Sequence, residues 1–124
     1  MTTRPRVLLA DDYPEMVRAI GRLLALECEV VGTVADGSAL LEAAERLQPD
    51  VIVVDVNLPI VNGLDACRQI TREHPAMKVI VFTAMGDPDV KQQSIDAGAA
   101  AFVPKLASVD GLLSTIRRLC ADRG

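Results

Sequence analysis

Two runs of this sequence, Val51-Ile52-Val53-Val54 and Val79-Ile80-Val81-Phe82, are apolar at every position. A strand with one wet face alternates apolar with polar residues. A run with no polar position has to be covered on both faces, which is the situation of a central strand in a parallel sheet. Three further short runs, Val7 to Ala10, Glu29 to Val34 and Ala101 to Val103, complete a set of five strands. Glu29 inside the second and Pro104 closing the fifth mark these two as edge strands, because proline has no N–H to give a ladder.

Amphipathic stretches separate the runs. Tyr13-Pro14 places proline at a first helical position, and Met16, Ile20, Leu23 and Leu24 follow at helical spacing. Ser38 is the expected cap of a second helix through Leu40, Leu41, Ala44 and Leu47, which stops before Pro49. Asn62 caps a third through Leu64, Cys67 and Ile70, as far as Pro75. Asp87-Pro88 opens a mostly polar fourth helix that ends at Gly98, and Ser108 opens a fifth with the stripe Val109, Leu112, Leu113, Ile116, Leu119 and Cys120. Strand and helix alternate five times. The expected fold is therefore α/β: a doubly wound (βα)5 domain over residues 1–124, with a parallel five-stranded sheet in the flavodoxin-like order 2-1-3-4-5.

Composition removes several function classes. The chain has 124 residues, a formal net charge of −4, one Tyr, two Phe and no Trp. It offers neither the basic face that nucleic acid or an anionic membrane requires nor a stacking platform for single strands. No apolar run approaches the ~20 residues of a membrane span and no signal-peptide core precedes Val7, so a cytoplasmic location is expected. Cys28, Cys67 and Cys120 are odd in number and scattered, which reads as buried reduced thiols.

Ligand sites in such sheets lie beyond the carboxyl ends of the strands. Here those ends carry Asp11 and Asp12 after strand one, Asp55 after strand three, Thr83 after strand four and Lys105 after strand five. Singly, each has a plainer reading: Asp12 as a helix cap, Thr83 as a satisfied hydroxyl, Lys105 as a solvated charge. Together they converge, and three carboxylates repel unless cations sit among them. Lys105 supplies one positive charge and a divalent ion two; Mg2+, a hard cation that prefers oxygen, suits the set.

These residues carry a resemblance. Ala10-Asp11-Asp12, Asp55-Val56-Asn57-Leu58-Pro59 with Gly63, Phe82-Thr83-Ala84 and Phe102-Val103-Pro104-Lys105 resemble the motifs of the receiver domain of bacterial two-component response regulators. Asp11 to Arg18 and Lys105 to Ser108 are similar to LuxR/NarL-type regulators in particular. Many receivers have proline directly after the lysine, whereas here Pro104 precedes it and Leu106 follows. The resemblance implies that Asp55 is a phosphoacceptor, with Thr83 and Lys105 at the phosphoryl oxygens. It implies Mg2+ held by Asp12, Asp55 and the backbone carbonyl of Asn57, with Asp11 acting through water. Thr83 and Phe102 would be the switch pair, and Asn57 and Met85 would border the hydrolytic water, the apolar Met85 favouring slow self-dephosphorylation. The implied partners are a sensor histidine kinase and, on phosphorylation, a second copy of the chain. The output is either that of a single-domain regulator or lies in a domain beyond this chain, and the likeness to LuxR/NarL-type regulators favours the second, with a transcriptional output expected.

Rival readings find less support. A dinucleotide site needs glycines in the first turn, where Ala10 to Pro14 has none, and a phosphate-binding P-loop needs a Gly-x-x-x-x-Gly-Lys stretch that the chain does not contain. A haloacid-dehalogenase-type phosphatase needs an acid two residues after its nucleophile, where this chain has Asn57. A degenerate receiver that only docks is the remaining alternative, and the intact Asp11, Asp12, Asp55, Thr83 and Lys105 set argues against it. His74, before Pro75, reads as a solvated or helix-dipole residue.

Overall fold

The computed structural model describes residues 4–84, 88–105 and 109–121. Its elements alternate as β1 (Arg6–Ala10), α1 (Pro14–Leu24), β2 (Glu29–Val34), α2 (Gly37–Leu47), β3 (Val51–Val54), α3 (Gly63–Glu73), β4 (Lys78–Thr83), α4 (Pro88–Asp96), β5 (Ala101–Pro104) and α5 (Val109–Cys120). All neighbouring strands are parallel, in the order β2-β1-β3-β4-β5. The chain leaves β1 toward β2 on one side and returns to β3 on the other. The switch point therefore lies between the carboxyl ends of β1 and β3.

The period of two along each strand divides the core into two layers. Leu8, Ala10, Ile52, Val54, Val79 and Val81 pack under α2, α3 and α4, through Leu40, Ala43, Ala44, Leu64, Cys67, Ile70 and Val90. Val7, Leu9, Val51, Val53, Ile80 and Phe82 pack on the other face under α1 and α5, through Ile20, Leu24, Leu112, Leu113 and Ile116. This is why β3 is buried throughout and β4 from Val79 on. Phe102, on the first face, is half-buried against that layer.

Pro14 starts α1 after Tyr13, and the Asn62 side chain accepts the Leu64 N–H at 2.7 Å, both as the sequence indicates. The start of α2 differs. Its cap is Asp36, whose Oδ1 accepts the Ala39 N–H at 2.7 Å, and the expected cap Ser38 lies inside the first turn. The reason is tertiary: the Gly37 N–H donates to the Pro59 carbonyl at 3.1 Å, which fixes where the helix begins. At the other end of the chain's helices, α4 closes on Gly98 (φ 95°), with Gly98 N–H donating to Ile95 O and Ala99 N–H to Ser94 O, the paired bonds of a left-handed helix terminus. The expected caps Asp87 and Ser108 lie outside the described residues.

The loop after β3 is closed by two tight approaches. A Cβ on Gly63 would meet Asp55 O at 2.2 Å, and one on Gly37 would meet Val61 O at 1.8 Å. Between them, Val61 N–H donates to Pro59 O at 2.8 Å around Ile60, whose φ is 70°. That is a γ-turn of the rare positive-φ kind, in a conformation that costs an ordinary L-residue about 1–2 kcal/mol.

Candidate functional site

Asp11 and Asp55 stand one residue beyond β1 and β3, on adjacent strands at the switch point, and Lys105 follows β5. The Lys105 Nζ donates to Asp11 Oδ2 at 2.5 Å and to Asp55 Oδ2 at 2.8 Å. All three side chains are nearly buried: 9% exposed for Lys105, 2% for Asp11 and 11% for Asp55. The remaining carboxylate oxygens are held by main chain, Asp11 Oδ1 by the Tyr13 N–H at 2.9 Å and Asp55 Oδ1 by the Asn57 N–H at 3.1 Å. Burial by itself pulls the Lys105 ammonium down, but its hydrogen bonds to Asp11 and Asp55 and their charges outweigh this. The net effect holds it above the ordinary lysine range.

Lys105 reaches this position because its N–H donates to Thr83 O at 2.7 Å, extending the β4–β5 ladder by one rung. Thr83 itself is fully buried at the end of β4. The Lys105 ammonium also lies 6.0 Å from the centre of the Phe82 ring. That neighbour was not anticipated from the sequence, although Phe82 directly precedes Thr83. Asp12 and Asn57 are exposed at the rim. Asp11, Asp12, Pro14, Val17, Arg18, Thr33, Val34 and Ala35 line an open cleft of about 290 Å3 on the β2 side of the acidic pair. Met85 lies outside the described residues.

Three carboxylates against one ammonium leave two negative charges, all on oxygen donors, which matches a divalent hard cation such as Mg2+. Both oxygens of Asp11 and both of Asp55 already hold hydrogen bonds, and the exposed Asp12 carboxylate joins them at the rim. Among the described residues, a second cluster of possible ligands, Glu45, Glu73 and His74, lies where α2 and α3 end, by the amino ends of the strands and so opposite this mouth. There His74 Nε2 and Glu45 Oε2 are 2.8 Å apart, so the histidine is paired as well as placed at a helix end.

A buried lysine thus clamps two strand-end carboxylates at the switch point of a doubly wound α/β fold. Residues 7–117 match the response regulator receiver domain, and the chain belongs to that family. It is 35% identical over 120 residues to the response regulator GacA of Pseudomonas viridiflava, covering 95% of this chain and 56% of that protein. It is 31% identical over 114 residues to the transcriptional regulatory protein DegU of Brevibacillus brevis, covering 90% and 48%. The chain thus spans about half the length of the curated relatives it matches. Among solved structures, the signal receiver domain of a Mycobacterium tuberculosis NarL response regulator superposes with a TM-score of 0.90 at 26% identity, over 98% of this chain and 99% of that one. A LuxR-family two-component response regulator from Aurantimonas gives 0.87 at 28% identity, over 96% and 86%. Response regulators are signalling proteins phosphorylated by sensor histidine kinases, some of them dimerise, and receiver domains generally bind Mg2+ at their acidic site. Among the described residues, no helix is long and apolar enough to cross a membrane.

Proposed function

We propose that this chain is a phosphorylation-operated switch whose phosphoacceptor is Asp55. The observation that carries the reading is the Lys105 ammonium bridging Asp11 and Asp55 in a nearly buried site. A carboxylate oxygen of Asp55 attacks the phosphorus of the donor, a histidine kinase's phosphohistidine or a small acyl phosphate. The new O–P bond forms as the bond to the leaving group breaks, and the leaving group takes the electron pair. Phosphoryl transfer asks the protein mainly for positioning and charge neutralisation. Lys105 offers the first fixed cation at the phosphoryl oxygens, and the Thr83 hydroxyl a donor beside it. Asp12, Asp55 and the Asn57 carbonyl would hold Mg2+, with Asp11 through water; the ion would supply the positive charge that lets an anionic donor approach an acidic centre.

Thr83 would transmit the change. Drawn toward the phosphoryl group, it would free space beneath the segment after β4, into which half-buried Phe102 rotates, altering the α4–β5–α5 face and promoting association of two chains. Such a shift follows because the phosphoryl contact exists in one state only. A transcriptional output outside residues 1–124 is supported by the names of relatives such as DegU. The docking-only reading leaves the clamp without a purpose, and Asn57 leaves a phosphatase without its acid.

The test is intact mass after incubation with acetyl phosphate and Mg2+. One added phosphoryl group is expected, absent in Asp55→Asn and absent without the metal. Label retained by Asp55→Asn at the same site would refute the assignment.

A further inference from the structure

The last turn of a helix presents unpaired carbonyls and the negative end of its dipole, which favour a cation there and disfavour an anion. This chain nevertheless sets Glu45 in the last turn of α2 and Glu73 at the last position of α3. The two helices cover the same face of the sheet, so their ends meet at its amino edge. There one oxygen of each glutamate and a ring nitrogen of His74 all lie within 4.8 Å of one another. The same last turns carry Arg46 and Arg72, but among the described residues neither arginine forms an ion pair with either glutamate. Two carboxylates thus converge where two helix dipoles already place negative charge.

The imidazole separates this cluster from an acidic patch. His74 is the sole histidine of the chain. Its main chain is fixed on both sides, its N–H donating to Ile70 O at 2.7 Å and its carbonyl accepting from the buried Met77 at 3.0 Å, and its side chain is only 19% exposed. Nε2 faces Glu45 Oε2 at 2.8 Å. A tetrahedral zinc ion sits about 2.0–2.2 Å from nitrogen and oxygen donors and therefore holds them roughly 3.3 Å apart. The triangle here brackets that spacing, and its two other corners are exposed glutamates that close by side-chain rotation. One nitrogen and two carboxylate oxygens suit a borderline divalent transition ion, whereas Mg2+ and Ca2+ take oxygen sets. Such an ion balances the two carboxylates and gives both helix ends the cation they favour.

We propose that Glu45, Glu73 and His74 form a second metal site, for a borderline divalent ion such as Zn2+, with water completing the coordination. The ion takes the place of the hydrogen between Nε2 and Glu45 and staples the end of α2 to the end of α3. The site lies across the sheet's length from the acidic mouth and differs from it in metal preference, so it stands independently of the role of Asp55.

In the test, zinc chloride is titrated into the 124-residue chain in saturating Mg2+, which occupies the acidic mouth, while the ring nitrogens of the single histidine are followed by NMR. The Nε2 resonance is expected to move with Zn2+, to saturate at one equivalent, and to stay in place with Mg2+ alone. Glu45→Gln and Glu73→Gln are near-isosteric changes at exposed positions, and circular dichroism should show the fold retained. Each should weaken Zn2+ binding by at least about tenfold, because even the loss of a group that only orients a ligand costs a metal site that much. A lone surface histidine also takes zinc, so the glutamates decide: undiminished affinity in either variant overturns the proposal. Zinc uptake that leaves the imidazole unmoved overturns it as well, since the ion then sits at a cysteine or at the mouth. An equal response of the imidazole to Mg2+ overturns the metal class.

Discussion

The Lys105 N–H and the Thr83 carbonyl are joined at 2.7 Å, so the residue that clamps the acidic pair and the residue proposed to sense a phosphoryl group hang on one main-chain bond. Movement at the end of β4 is therefore felt by the clamp directly. The same bond explains why Pro104 is tolerated beside the lysine: β5 is an edge strand, and the rung after proline is supplied by Lys105 itself.

Removing the clamp leaves two nearly buried carboxylates facing each other without a cation. Lys105→Met is expected to lose on the order of 3–5 kcal/mol of stability at neutral pH, the cost of breaking a buried ion pair from one side. Millimolar Mg2+ should restore part of it. The folded-state lysine is held above its ordinary range, so its contribution is complete below about pH 10.4 and is lost as pH rises through the raised folded value. Urea midpoints across the alkaline limb should show the unmodified chain and Lys105→Met converging there. Parallel curves would contradict the sign.

Two glycines should respond oppositely to the same methyl group. At Gly63 the new Cβ would sit 2.2 Å from Asp55 O and 2.9 Å from Val56 Cα, so backbone beside the acceptor has to move. Gly63→Ala is expected to cost about 1–3 kcal/mol or more and to slow labelling of Asp55. At Gly21, within α1, nothing lies within 4 Å, and Gly21→Ala should add about 0.4–1 kcal/mol by restricting the unfolded chain. Thermal unfolding of both variants checks the pair; a stabilised Gly63→Ala would mean the loop is not closed as described.

What the sequence revealed divides along physical lines. Strand positions, edges and order follow from which runs lack polar residues and where Glu29 and Pro104 fall, because burial on two faces is written in composition. The acidic pair, Asp55, Thr83 and Lys105 were legible for a related reason: strand-end polar residues after apolar runs have few plain explanations. The start of α2 and the turn at Ile60 were not. Both are set by one long-range bond from Gly37 to Pro59, and neither residue's type announces it.

The cap of α2 offers a direct check. Asp36 and Ser38 are both eligible residue types, but only the Asp36 side chain bonds an orphan N–H of the first turn, that of Ala39. Asp36→Ala is expected to cost about 1 kcal/mol, within the usual range for a lost cap, and Ser38→Ala a few tenths at most. Equal losses in chemical denaturation would return the cap to Ser38.

The cysteines give a chemical clock for the layer under α3 and α4. Cys67 is fully buried, its Sγ is 3.6 Å from Ala97 O, and burial pushes its thiol up to about 11. Only the thiolate attacks disulfide reagents. At pH 8, Cys120, which is half-exposed, should therefore react with an aromatic disulfide reagent first, while Cys67 reacts only as fast as the domain opens. The raised value also has a stability consequence. The unfolded thiol ionises near 9 and the folded one about two units higher, so the folded state is favoured below pH 9 and loses roughly 2 kcal/mol of that advantage as pH climbs to 11. Cys67→Ala lacks this term, and its stability should decline less steeply over that interval. Equal slopes, or Cys67 labelling as fast as Cys120 in the folded chain, would show that the space between α3 and α4 is open to water.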